Sequence, residues 1–345
     1  MAQVITLKDV ASEAGVHVST ASRALNPETR SVVNDETAGR VLAVAERLGY
    51  RPHPLARGLR TNQTLTIGMI VPDLMNPLFP PIYAGAEASL RDKGYSLLIG
   101  NDDDDPVKAK AVMAALLERR VDGLILATAH LDFALPAALN QEMVPTVLVN
   151  RTTDSMALPA VIGDDDAGIG LVVRHLVGLG HAAIAHVTGP TAVSTGRIRR
   201  EAFARWMDSE GLAAEPALVV EADAFRTEAG HAACDRLLDS GVSFTAIVAG
   251  NDLIALGCYD ALTERGLSIP DDVSVTGYND MTFIDRVNPP LTTVSLPYEQ
   301  MGAAAAQTLL VMLEFEEWQH DVVDPSAKLQ PSLVVRDSTG PAPAG

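Results

Sequence analysis

Val18, Ser19, Ser22 and Arg23 fall on one side of a short helical pattern, residues 18–25, whose other side is Ala21, Ala24 and Leu25. That set suits the edges of DNA bases. An arginine fork donates a bidentate pair to guanine O6 and N7, worth about 1–3 kcal/mol of discrimination. Val18 suits a thymine methyl, and Ser19 a base edge or a phosphate. Thr20, Ser22 and Asn34 suit phosphate contacts or helix caps, which position without specifying sequence. Farther along, Asp73, Asn76 and Phe79 follow one apolar run, and Asn150, Asn251 and Asn279 end others. Amides and a carboxylate beside an aromatic ring suit a small hydroxyl-rich molecule. No phosphate loop, nucleophile elbow or zincin motif occurs, nothing pairs a nucleophile with a base, and His175, His181 and His186 lack metal-ligand spacing, so neither catalysis nor a metal or other cofactor is expected.

The elements that must position these groups change character near residue 62. Before it, Thr6 with Asp9 three residues on forms an acidic capping box, Leu7, Val10, Ala11 and Ala14 follow at helical spacing, and Gly15 makes the turn. Asn34 opens a third helix whose apolar face is Val41, Leu42, Val44, Ala45 and Leu48, stopped by Gly49. This is a helix-turn-helix. Residues 1–61 hold eight Lys/Arg against six Asp/Glu, a charge of +2, while the whole chain carries -18, which leaves -20 for the remainder. A cationic head on an acidic body implies that only the head meets a polyanion.

From Thr64 onward short β-rich runs alternate with amphipathic helices. Strands are read at 66–71, 96–100, 123–126, 146–149 and 161–162, then at 183–187, 218–220, 246–248 and 273–277. The alternation argues for two doubly wound parallel sheets, an α/β body of two lobes with ligands at the carboxyl ends of the strands. Asp102–Asp105 reads as a solvated loop favouring a helix N-terminus. Cys234 and Cys258 read as buried free thiols. No basic-then-apolar leader opens the sequence and no run reaches membrane-spanning length, so a cytoplasmic protein with no membrane partner is expected.

The runs K-D-V-A-x-x-A-G-V-x-V-S-T-x-S-R from Lys8, R-V-L-A-V-A-E-R-L-G-Y-R-P from Arg40, and L-A-R-G-L-R-T from Leu55 together resemble the lac/gal-repressor family of bacterial transcription regulators. The similarity continues to about Ser338. It implies a helix-turn-helix headpiece on a bilobal periplasmic-binding-protein-like body, a homodimer on a near-palindromic operator, and hinge helices in the minor groove. Thr6 and Tyr50 join the DNA contacts on that basis. Leu59 resembles the family's hinge leucine, a wedge between base pairs, with Ala56 against the same groove and Arg57 near phosphate. One departure is His17, at a cap position where the family often has serine.

For the body the resemblance implies an effector cleft between lobes. Asp73, Asn76 and Phe79 match a family loop, Arg197 the family's effector-contacting arginine, and Phe225 an aromatic wall. Asn150, Asn251 and Asn279 end strands there, and Tyr298 closes the site from the third crossing between lobes. Positions 150 and 279 are often Asp in the family. Asp252 has a duller reading as a helix cap and Asp280 as a turn residue. Expected boundaries are 1–50 for the headpiece, 51–62 for the hinge, 63–162 with 294–325 for the first lobe, 163–293 with 326–338 for the second, and 339–345 for a disordered tail without a tetramerising leucine heptad. The expected function is a DNA-binding regulator, a repressor, controlled by a sugar or sugar derivative. Control mainly by a protein coregulator is the alternative. A sugar-transport protein is opposed by the basic head and the missing leader.

Overall fold

A computed structural model describes residues 5–26, 29–50, 63–132, 144–154, 158–314 and 326–343. The chain divides after Leu65.

In the first unit, the Thr6 N–H and hydroxyl both donate to Asp9 Oδ2, at 2.8 and 2.7 Å, and open α1 (Leu7–Glu13). These bonds hold the Asp9 carboxyl below its usual range. Gly15, at φ +64, makes the turn that a side chain would strain. His17 then caps α2 (Val18–Leu25): its Nδ1 accepts from the Ser19 N–H at 3.3 Å and the Ser19 hydroxyl at 2.8 Å. Asn34 Oδ1 accepts from the Thr37 N–H at 2.8 Å to start α3 (Asp35–Leu48). Val10, Ala11, Ala21, Ala24, Ala38, Val41 and Ala45 are the core, small enough for three helices to close on one another. Arg40 and Arg30 each donate Nε–H to a helix-end carbonyl, those of Ala14 and Ala24, at 3.1 Å.

The second unit holds two six-stranded sheets. The first contains β1 (Thr66–Val71), β2 (Ser96–Asn101), β3 (Gly123–Leu126), β4 (Thr146–Val149), β5 (Ala160–Gly163) and β11 (Ser326–Leu329), in the order β2-β1-β3-β4-β5-β11, all parallel. The second contains β6 (Ile184–Thr188), β7 (Val219–Glu221), β8 (Ala246–Ala249), β9 (Ser274–Asn279), β10 (Thr292–Ser295) and β12 (Ser332–Val334), in the order β7-β6-β8-β9-β10-β12, with only β12 antiparallel. The central strands β1, β3, β4 and β8 are near-continuous apolar runs buried between helices on both faces, whereas the edge strand β2 leaves Leu98 and Ile99 exposed. Around the first sheet lie α4 (Phe79–Arg91), α5 (Pro106–Glu118) and α10 (Tyr298–Glu314); around the second lie α6 (Asp165–Gly178), α7 (Ser194–Ser209), α8 (Thr227–Asp239) and α9 (Asp252–Glu264). Helices α4 and α10 touch backbone to backbone: a Cβ on Gly85 would stand 1.8 Å from Glu299 O, and one on Gly302 1.8 Å from Ile82 O.

The chain crosses between lobes after β5, β10 and β11, and these points differ from the expected boundaries. Val294 and Ser295 still pair with β9, because their apolar–polar alternation extends the second sheet. Ser326–Leu329 pair with β5 and so belong to the first lobe, not the second. Tyr298 therefore follows the second crossing rather than the third. The tail, described as far as Pro343, is bound to the second lobe instead of disordered. Thr339 Oγ1 lies 2.9 Å from His175 Nε2, Gly340 O lies 3.0 Å from His181 Nε2, and the Gly340 N–H donates to Ser274 Oγ at 3.1 Å. Polar side chains on the second lobe supply what the tail's own composition lacks.

Candidate functional site

Two places carry unspent polar chemistry. The first is α2. Arg23 and Ser19 are exposed, and Val18, Thr20 and Ser22 are half-buried. Arg30 and Arg40 hold carbonyls and Arg47 pairs with Glu13 at 3.0 Å, whereas the Arg23 guanidinium has no partner among the described residues. Asn34 is committed to its cap, and Tyr50 packs half-buried on the head core. Ala56, Arg57 and Leu59 lie outside the described residues.

The second is a cavity of about 250 Å³ between the carboxyl ends of the two sheets. The first lobe contributes Asp73, Asn76 and Phe79 after β1, Asp103 and Asp104 after β2, and Asn150 and Arg151 after β4. The second contributes Thr195 and Arg199 from α7, Asp223, Phe225 and Arg226 after β7, Asn251 after β8 and Asn279 at the end of β9. Both sheets reverse their winding order here, about β1 and β6, which opens the crevice. Asn150 turns out of its strand at φ 65, the left-handed conformation an amide residue tolerates better than most, and Asn279 ends its strand at φ 123. The lobes meet across the cleft: Ser194 Oγ accepts from the Thr152 N–H at 2.9 Å, and Arg226 Nε lies 3.7 Å from Asp73 Oδ2.

Seven of the nine expected cleft residues line this cavity; Arg197 and Tyr298 do not. Arg197 pairs instead with Asp154 at 2.5 Å, both half-exposed. Two residues on, a helix has turned about 200°, and Arg199 occupies the inner position. Its side chain is 4% exposed, Nε donates to Asp165 Oδ1 at 2.9 Å, Nη1 donates to Gly250 O at 2.7 Å, and the guanidinium stacks 3.6 Å from the Tyr278 ring centre. Arg199 was findable from spacing: Phe203 and Met207, both buried, follow it at intervals of four. Tyr298 lies behind the lining and donates its hydroxyl to Asn279 Oδ1 at 2.8 Å.

Carboxylates near the cleft divide by environment. Asp102 is fully buried rather than solvated. It accepts from Thr128 Oγ1 at 2.5 Å and from the Asp104 N–H at 3.0 Å, and burial raises its pKa. Asp105 caps α5, its Oδ1 accepting from the Val107 N–H at 2.8 Å. Asp252 is not the cap of α9; Asn251 is, with Oδ1 accepting from the Ile254 N–H at 2.8 Å. Asp252 instead accepts from Thr293 Oγ1 at 2.5 Å and the Met281 N–H at 2.8 Å, and burial pushes its pKa up to about 6. Asp280 is structural, bound to Arg336 at 2.6 Å. Cys234 and Cys258 are buried and unbridged.

Among the described residues no cluster of His, Cys, Asp or Glu is arranged to hold a metal ion, and no helix is long and apolar enough to cross a membrane. The family model for bacterial regulatory proteins of the lacI family matches residues 6–53, and the periplasmic binding protein-like domain matches 173–339. The transcriptional regulator RegA of Clostridium saccharobutylicum is 33% identical over 97% of this chain and 99% of its own. The transcriptional repressor PurR of Haemophilus influenzae is 35% identical over 96% of this chain and 98% of its own. The crystal structure of the lac repressor dimer bound to operator and the anti-inducer ONPF superimposes with a TM-score of 0.85 at 29% identity, covering 98% of this chain and 100% of that one. With a helix-turn-helix head, a two-sheet body and relatives matched along nearly its whole length, this chain belongs to the lacI family of DNA-binding transcriptional repressors.

Proposed function

We propose that the chain acts as a homodimer on a near-palindromic operator and that a small effector, a sugar or sugar derivative, in the interlobe cleft sets its operator affinity. Arg23 reads a guanine, Val18 and Ser19 contact neighbouring base edges, and Thr6, Thr20, Ser22, Asn34 and Tyr50 position the head on the backbone. Ala56 and Leu59 act at the minor groove and Arg57 near phosphate. The observation that carries the effector reading is the polar cavity itself, lined from both lobes and spanned by contacts such as Arg226 to Asp73. A molecule bonded to both walls changes the balance between arrangements of the lobes in proportion to its differential affinity for them.

Removing residues 1–61 tests the division of labour. The remaining body keeps its effector binding by calorimetry and loses operator binding by fluorescence anisotropy. Retained operator affinity contradicts the proposal, and so does an effector that binds only when the head is present.

A further inference from the structure

His17 and Ser19 are bonded to each other at the start of α2, and the bond decides what Ser19 has left to offer. His17 is the cap residue and Ser19 the second residue of the helix. The Ser19 N–H belongs to the first turn, which no carbonyl of the helix reaches, and it lies 3.3 Å from His17 Nδ1. A backbone N–H only donates. Nδ1 is therefore the nitrogen without a hydrogen, which places the ring hydrogen on Nε2. The other tautomer would set Nδ1–H against the Ser19 N–H at the positive end of the helix dipole. The Ser19 hydroxyl lies 2.8 Å from the same Nδ1. Facing an acceptor, it donates.

Ser19 Oγ has then spent its only hydrogen within the protein and keeps lone pairs alone. Ser19 and Arg23 are the exposed residues of α2, and they stand one turn apart on the same face. An arginine only donates. The helix thus presents two polar groups of opposite character: an acceptor at 19 and donors at 23.

Resting on the reading of α2 as the helix that meets base edges, we propose that Ser19 reads an exocyclic amino group, adenine N6 or cytosine N4, and that His17 is the positioning residue that imposes this choice. Those amino groups are the donors of the major groove; guanine O6 and N7 and thymine O4 accept. Phosphate oxygens accept as well. An Oγ without a hydrogen to give, set against any of these, faces acceptor with acceptor, and an unpaired polar atom in a dry contact is costly. Each base pair carries its amino group on one strand in that groove. An acceptor at 19 therefore tells A·T from T·A and C·G from G·C, so it reads strand rather than composition. A serine whose hydroxyl turned freely would serve either partner and make no such distinction.

Selection of a binding sequence by the full chain from a pool of random duplexes, followed by anisotropy with all four bases at each half-site position, tests this. One position per half-site favours A or C over G or T by about tenfold. Ser19→Ala levels that position to within about twofold, while the guanine read by Arg23 keeps its preference. His17→Ala frees the hydroxyl to donate, and the same position falls to a preference of about twofold. His17→Asn puts a carbonyl oxygen with two lone pairs in place of Nδ1, keeps the cap and restores the preference. The guanine preference holds in all three variants, which reports that α2 is folded. G or T favoured at the position that depends on Ser19 overturns the proposal and leaves Ser19 a base reader. Equal loss on every duplex in Ser19→Ala makes Ser19 a phosphate contact and overturns it too. An A-or-C preference that persists in His17→Ala, or preferences that decline together at every position, reduce His17 to a cap and overturn its part. No base preference anywhere in the unaltered chain overturns the reading of α2 itself.

Discussion

Arg199→Met and Arg197→Met differ by two positions on one helix, and the structure predicts very different consequences. Arg199 is 4% exposed and Asp165 7%, with 2.9 Å between Nη2 and Oδ1. Its removal strands a buried carboxylate and deprives the Gly250 carbonyl of its donor. Breaking a buried pair from one side costs about 3–5 kcal/mol. The Arg197 and Asp154 side chains are 38% and 56% exposed, and such a pair contributes under about 1 kcal/mol once solvent screening is counted. Urea unfolding read through Trp206, which sits on the same helix and donates Nε1–H to Asp166 O at 3.0 Å, reports the difference. With a slope of about 3 kcal/mol per molar, the Arg199→Met midpoint falls by about 1–1.7 M and that of Arg197→Met by less than about 0.3 M. Adding Asp165→Asn to Arg199→Met recovers about 2 kcal/mol, because the stranded charge is gone. Equal midpoints for the two single variants refute the assignment of Arg199 as the inner arginine.

Arg23→Ala weakens operator binding about 10- to 100-fold and leaves affinity for random DNA within about twofold, measured by anisotropy at fixed salt; equal losses on both contradict base reading. His186 donates Nδ1–H to Val248 O at 2.7 Å and stacks on Phe203, its Nε2 is enclosed without a partner, and burial lowers its pKa to about 4. The unfolded chain therefore binds the extra proton between about pH 6.5 and 4, and stability drains by about 3 kcal/mol as pH falls through that window. Asp252, raised to about 6, works in the opposite sense: the folded chain holds the proton between about pH 6 and 4, and stability rises as pH falls. The two nearly cancel in the wild type, so His186→Gln gains about 3 kcal/mol relative to it between pH 6.5 and 4, and a parallel pair of curves contradicts the assignment. Gly302→Ala forces α4 and α10 apart and costs about 1–3 kcal/mol or more, whereas Gly178→Ala, with open space around it, raises stability slightly; thermal midpoints moving together contradict the close crossing.

Nine strand positions were legible because short apolar runs bounded by polar loops have one reading in an alternating α/β pattern; β10, β11 and β12 were not read as strands, because T-T-V-S, S-A-K-L and S-L-V carry too few apolar residues to stand out. Cleft position was legible for the same reason: Asp73, Asn150, Asn251 and Asn279 sit at or just past strand ends, and strand ends of a doubly wound sheet share one edge. Arg197 was misplaced because a motif match of G-R-I-R-R aligns either arginine, and only the stripe Arg199, Phe203, Met207 separates them. Tyr298 was near the site but not in it, since no local pattern shows that its hydroxyl ends on Asn279, 19 residues upstream. The tail's order was illegible because it depends on His175, His181 and Ser274, partners far away in sequence. The same holds for Asp102, whose burial comes from Thr128 on a neighbouring loop.

Operator affinity of the full chain, titrated with and without a saturating ligand known by calorimetry to occupy the cleft, bears most directly on the link between body and head. The account predicts a change of about fivefold or more in either direction, lost when Asn251→Ala removes both a cleft amide and the cap of α9. An unchanged operator affinity with the cleft demonstrably full contradicts it.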